Sequence, residues 1–176
     1  KTDLILGDYG RKDLGAVVNV PISSDFKYRL SLKKEDSDGF RKNIYLNRSD
    51  TSRKDEKSYR FKLDWNLSDT SSLDIVHFDH DFDNPADIWT IDGSLNTLSD
   101  RPGMDSQDSS ATGLSYIFNA FKYKINFLYS ETETDVIFSY DADWGNSLSH
   151  APYVYDYFSE TFRNRENPCR FLILLN

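Results

Sequence analysis

The chain has 176 residues, a formal net charge of −8, 38% hydrophobic and 15% aromatic content, and one cysteine. No basic cluster stands out against the acidic background, so nucleic acid is not an expected partner. The lone Cys169 excludes an internal disulfide and a thiolate metal site. No apolar run reaches the length of about 18 residues that a transmembrane helix needs, which leaves open a membrane β-barrel, whose strands need only about 10 alternating residues.

Strand signals recur along the whole chain and helical periodicity is scarce. An opening strand is expected near Thr2 to Gly7, and a second over Leu14 to Ile22, with Leu14, Ala16, Val18, Val20 and Ile22 on one face. The third alternates most regularly: Phe26, Tyr28, Leu30 and Leu32 against Lys27, Arg29, Ser31 and Lys33. "SYRFKLDW" (58–65) repeats the pattern, with Tyr59, Phe61, Leu63 and Trp65 against Arg60, Lys62 and Asp64. Weaker strands follow at Ser72–Phe82 and Ser109–Phe118, and a firm one sets Tyr123, Ile125, Phe127 and Tyr129 against Lys124, Asn126 and Ser130. About eight strands are expected in all, as an antiparallel up-and-down meander that is part of a transmembrane barrel, and the chain reads as one domain over 1–176. Beyond Phe162 the alternation is lost in "NRENPCRFLILLN", so residues 163–176 read as atypical, an altered or truncated chain end.

The connections alternate in length. "SSD" (23–25), "SDTS" (68–71) and "NAF" (119–121) are tight, whereas Glu35–Arg53, Asp83–Gln107 and Asp141–Tyr157 are long and polar, well beyond the usual hairpin loop of about 2 to 5 residues. Short turns at one end and long loops at the other suit an outer-membrane barrel. Phe26, Trp65, Phe118 and Tyr123 flank the tight turns, where an aromatic belt is expected, although cross-strand ring pairing alone also produces such placement.

These segments resemble the barrel of a TonB-dependent outer-membrane receptor. The resemblance is carried by "GDYG" (7–10), "GAVVNVPIS" (15–23), "YRLSLKKEDSDGFRKN" (28–43), "FKLDWNLSDTSSLDI" (61–75) and the stretch from Asn84 to Phe118, in that order and spacing, over about the first 160 residues. It implies active uptake of an iron–siderophore complex, cobalamin or a carbohydrate across the outer membrane of a Gram-negative cell. It also implies partners: outer-membrane lipid, the receptor's own plug domain, TonB, and a small-molecule ligand. No plug sequence is recognised, and only about a third of the family's roughly 22 strands are expected here. The chain opens without a signal-peptide pattern, so such a segment is expected to be removed or to lie outside this sequence.

The resemblance and the alternation together set an orientation. Phe26, Tyr28, Tyr59, Phe61, Leu63, Trp65, Tyr123, Ile125 and Phe127 are expected to face lipid, and Lys27, Arg29, Arg60, Lys62 and Lys124 an aqueous lumen, where they can attract an anionic solute or plug carboxylates. Trp89, Trp144, Tyr153 and Tyr155, rings in the long loops, are the expected ligand contacts. "VHFDHDFD" (76–83) places His77, Asp79, Asp81 and Asp83 on one strand face, the most metal-like stretch, but same-face neighbours about 7 Å apart seldom chelate without a second segment. No catalytic motif is found, so neither an enzyme nor a cofactor is expected. Two rival readings stay open: a soluble β-sandwich binding module using the same loop aromatics, and a complete small membrane barrel with a structural role.

Overall fold

The computed structural model describes residues 1–146, 162–166 and 169–175, the last two segments as backbone. Seven strands form an antiparallel meander: β1 (Thr2–Leu6), β2 (Lys12–Pro21), β3 (Phe26–Ser37), β5 (Lys54–Ser68), β6 (Ser71–Pro85), β8 (Met104–Ala120) and β9 (Tyr123–Phe138). Two short strands, β4 (Lys42–Asn43) and β7 (Asn96–Thr97), pair in parallel in the loops above it. The free side of β9 takes β10 (Phe162–Glu166) and β11 (Cys169–Leu175).

These last two strands share one register. Glu166 faces Thr134 and Cys169 faces Glu131, so the pair forms an eighth strand in two pieces. The segment that loses alternation in sequence thus still joins the sheet through its backbone. Strands β1 and β10/β11 hold the two edges, and among the described residues they do not pair with each other.

Register sorts the side chains into two faces. One carries Phe26, Tyr28, Leu30 and Leu32 directly opposite Trp65, Leu63, Phe61 and Tyr59, and continues through Leu73 and Ile75 to Tyr116, Leu114, Phe127 and Tyr129. Tyr123 and Ile125 share this face. The other carries Lys27, Arg29, Arg60, Lys62 and Lys124, the last at the tip of the β8–β9 hairpin. No second layer covers either face: among the described residues the only buried hydrophobic side chain is Ala86, and Leu14, Leu32, Trp65 and Phe118 are all exposed. The described residues therefore form no two-layer sandwich, which would seal its apolar face against a second sheet.

The tight turns at 22–25, 69–70 and 121–122 lie at one end, while the five-residue β1–β2 connection (7–11) lies at the other, where Asp38 N donates to Tyr9 O (2.9 Å). Ser23 Oγ accepts the N–H groups of Asp25 and Phe26 to close the first turn, and Asn66 N donates to Asp25 O (2.7 Å). Asn119 N donates to Thr70 O (2.8 Å), tying the second turn to the end of β8. At the opposite end, the 38–53 and 86–103 connections leave the sheet, together with the segment after Phe138.

Apolar residues do not run the full length of the strands. From Trp65 to Tyr59 the ring-bearing stretch of β5 spans seven residues, about 20 Å along the strand. Above it both faces turn mostly polar on five adjacent strands, Phe82 being the one apolar ring: "KKEDS" (33–37), "KDEKS" (54–58), "DHDFDN" (79–84), "DSQDSS" (105–110) and "SETETD" (130–135). Glu35–Ser37, Asp83–Pro85 and Met104–Gln107 read as loop in the sequence but are paired strand, extending β3 to Ser37, β6 to Pro85 and β8 to Met104. The tier is held by the ladder and by ion pairs: Arg53–Asp83 (3.0 Å), Lys54–Glu56 (3.1 Å), Lys57–Asp81 (3.9 Å) and Lys33–Glu35.

Candidate functional site

The long connections do not trail separately into solvent. Their small polar residues fold into a common layer with a buried hydrogen-bonded interior. Asn43, Thr51, Asp87, Thr97, Ser99, Ser139, Asp141 and Asn146 are nearly or wholly covered there, and elsewhere among the described residues only Asp13 and Ser109 are polar and as deeply covered. Asn43 Nδ2 donates to Asp87 Oδ2 (3.0 Å) and to the Ser99 carbonyl (2.8 Å), while its Oδ1 accepts from Leu46 N (2.8 Å). Thr97 Oγ1 donates to the same Asp87 oxygen (2.6 Å). The Nδ2 of Asn43 thus joins the 38–53 connection to the 86–103 connection, while its Oδ1 and backbone groups bond to Leu46 and Arg48 within 38–53.

The segment after β9 is bound to the same centre. Ser99 Oγ donates to Asp141 Oδ2 (2.5 Å), Asn146 Nδ2 donates to Leu98 O (2.7 Å), and Asp100 N donates to Gly145 O (2.9 Å). Burial, with the Asp143 carboxylate nearby, pushes the Asp141 carboxyl up to about 6, against the lowering effect of the Ser99 bond. Close backbone approach completes the layer. A Cβ at Gly103 would collide with the Ser139 carbonyl, and one at Gly39 (φ 85°) with that of Ser52.

"DADWGN" (141–146) shares residues with a calcium loop, but its carboxylates serve turns. Asp141 Oδ1 accepts from Asp143 N (3.2 Å) and Asp143 Oδ1 from Gly145 N (2.9 Å), which folds the chain back on itself. Trp144 adopts a left-handed backbone (φ 58°) in that fold. Its ring stacks on Trp89 (centroids 6.4 Å, planes 16° apart), and Tyr140 packs edge-on to Trp89 at 5.5 Å. Two expected ligand contacts from connections more than 50 residues apart therefore meet in one ring cluster. Both remain partly exposed, Trp89 at 36% and Trp144 at 41%. Tyr153 and Tyr155 lie outside the described residues.

The other expected site residues fall on the sheet. Phe26 meets Trp65 edge-on at 5.3 Å, so these rings pair across strands while also standing at the turn end of the band. His77 Nε2 bonds Asp79 Oδ2 (2.8 Å) and His77 Nδ1 bonds Thr112 Oγ1 (2.9 Å), at the upper border of the ring-bearing face. Asp81 and Asp83 point the same way but ion-pair with Lys57 and Arg53. Among the described residues no three His, Cys, Asp or Glu side chains come close enough to hold a metal ion, which removes His77, Asp79 and Asp81 as a metal set. Lys27, Arg29, Arg60 and Lys62 form one patch on the opposite face, from which Lys124 stands apart.

Sequence reasoning missed Tyr140 and the whole polar interior of the loops. Only a weak signal was present: Asn, Thr, Ser and Asp recur in the long connections without periodicity, and nothing in the sequence pairs Asn43 with Asp87.

In comparisons with known proteins nothing matches, whether family model, curated protein or solved structure. The class that the geometry defines is an all-β protein built on a seven-strand antiparallel meander.

Proposed function

We propose that this chain is part of the wall of an outer-membrane β-barrel that takes up a scarce small molecule, in the manner of a TonB-dependent receptor. In this reading the ring-bearing face meets lipid and the cation-bearing face an aqueous bore, with the turns at 22–25, 69–70 and 121–122 periplasmic and the loop layer, together with the 7–11 turn, extracellular. One observation carries it: the sheet is a single layer with an uncovered band of rings and aliphatics on one face, bounded on the loop side by a tier that is mostly polar on both faces. A lone sheet in water would leave that band exposed at a cost of about 25 cal/mol per Å², whereas hydrocarbon removes the cost. The loop layer supports the second half of the reading. Its stacked Trp89–Trp144 rings sit on a rigid polar base, a suitable platform for capturing a solute at the mouth.

Membrane integration is checked by fractionation of the intact protein as cells make it. It is expected to remain with outer membranes through an alkaline carbonate wash and to leave only with detergent. Release by carbonate alone would contradict the reading. For capture, Trp89→Ala or Trp144→Ala is expected to weaken uptake-dependent growth more than Lys27→Ala does, and equal or reversed losses would retire the loop assignment.

A further inference from the structure

The cation-bearing face contains an arrangement that a bare sheet has no reason to favour. Arg29 stands directly across from Lys62, and Ser31 directly across from Arg60, on adjacent levels of the β3–β5 ladder. Like charges directly opposite each other disfavour strand pairing, and here they occur in a chain whose net charge is −8. Lys62 has a counter-ion in Asp64 (2.9 Å). Among the described residues the two guanidiniums have none, and the only side-chain bond of Arg29 is a long one from Nε to Ser31 Oγ (3.5 Å). Arg29, Ser31, Arg60 and Lys62 together line a depression of about 290 Å³.

We propose that this depression is a binding site for a small oxyanion carrying two or more negative charges, a phosphate ester or a polycarboxylate. The inference rests on the reading above, in which this face lines an aqueous bore. The donor set fits that chemistry: each guanidinium offers a planar fork that donates to two oxygens, the Lys62 ammonium adds a point charge, and the Ser31 hydroxyl a neutral donor. The anion offsets the repulsion between Arg29 and Lys62, so the pairing that is unfavourable in the bare sheet becomes a cradle. Beside the patch the same face turns apolar at Val76 and Phe78, which face Lys62 and Arg60 across the β5–β6 ladder. That border suits an organic anion with a hydrocarbon part better than a bare mineral ion. The site lies at mid-height on the sheet, well below the Trp89–Trp144 cluster, so it acts as a second station after capture.

The test uses the intact protein in detergent, titrated calorimetrically with inorganic phosphate and with citrate. Saturable binding of at least one is expected, weakened at least about tenfold by Arg29→Gln combined with Arg60→Gln. Lys124→Gln, which removes a cation of the same face away from the patch, is expected to leave it unchanged. Citrate or phosphate is also expected to protect Arg29 and Arg60, but not loop residue Arg48, from an arginine-directed reagent mapped by mass spectrometry, a readout that needs no variant to fold. Absence of saturable binding, absence of protection, or an equal loss in Lys124→Gln would overturn the site, the last by showing diffuse attraction only. Protein that stays in the membrane through carbonate but binds no anion sinks this inference alone. Anion binding by protein that carbonate releases sinks the membrane reading alone.

Discussion

The two ends of this molecule are stabilised in opposite ways. Toward the short turns, the sheet carries its rings and aliphatics outward and buries almost none of them. The loop layer has few large apolar side chains covered, yet it contains nearly all the deeply buried groups, and those are amides, hydroxyls and carboxylates, most of them hydrogen-bonded to one another, the Thr51 hydroxyl being buried without a partner. The difference teaches where specificity resides. A strand ladder with an uncovered greasy face tolerates many apolar residues at each position, because the surrounding medium rather than a packed partner receives them. A buried polar network tolerates few, because each orphaned donor or acceptor costs about 1–3 kcal/mol.

The sharpest break of this comparison is a charge on each face of the sheet. Leu63→Arg puts a cation into the ring-bearing band and is expected to cost about 2–4 kcal/mol if that band lies at the membrane midplane, seen as loss of membrane-integrated protein. Ser130→Glu lies on the other face, across from Gly113 on β8 and from Arg170 on β11, beside a depression of about 490 Å³. It is expected to change stability by less than about 0.5 kcal/mol. Equal damage from both would mean that the faces do not differ in what surrounds them.

Next in size is the loop centre. Asn43→Ala removes both Nδ2 bonds and the bond to Leu46 N, and strips Asp87 of one of its donors. A loss of roughly 2–3 kcal/mol is expected, confined to the loops: protease cleavage within 38–53 and 86–103 accelerates while the sheet stays resistant. Cleavage that spreads into β5 and β6 would mean that the two regions are not separate units.

A smaller effect sharpens the comparison through pH. The folded-state value of the Asp141 carboxyl, about 6, lies above its ordinary 3.8. A raised acid is protonated in the folded loop before it is in the unfolded one, so its stabilising contribution is fully present below about pH 3.8 and is lost as pH rises through about 6. Loop protection against proteolysis is therefore expected to increase by roughly 1–2 kcal/mol from pH 7 to pH 5. Asp141→Asn is expected to flatten that change, and a profile unaltered by the substitution would assign it to another group. Least of all, Trp89→Phe should loosen the stack on Trp144 by about 0.5–1.5 kcal/mol, read from the Trp144 emission in a Trp65→Phe background.

The sequence made the sheet legible because period two is a local signal. Alternation from Phe26 to Lys33 and from Tyr59 to Asn66 located strands, faces and the tight turns between them. The polar tier was misread as loop where both faces are hydrophilic. Asp83–Pro85 and Met104–Gln107 offer no alternation, and they are strands because the ladder begun lower down continues through them. Residues 169–175 failed for the converse reason, being apolar at successive positions. In the loops, Trp89 and Trp144 stood out as rings in polar surroundings, but their stacking depends on two Asx turns and on contacts between segments about 50 residues apart. Such pairings leave no periodic trace.

The chain contains three tryptophans, one in the band (Trp65) and two in the loop layer (Trp89 and Trp144), so lipid contact can be read separately for each region. With the intact protein in vesicles whose acyl chains carry bromine, the Trp89→Phe/Trp144→Phe variant reports on Trp65 alone, and Trp65→Phe on the loop pair. Strong quenching of Trp65 with little quenching of the loop pair is the predicted result. Unquenched Trp65 emission from protein held in those vesicles would contradict the account.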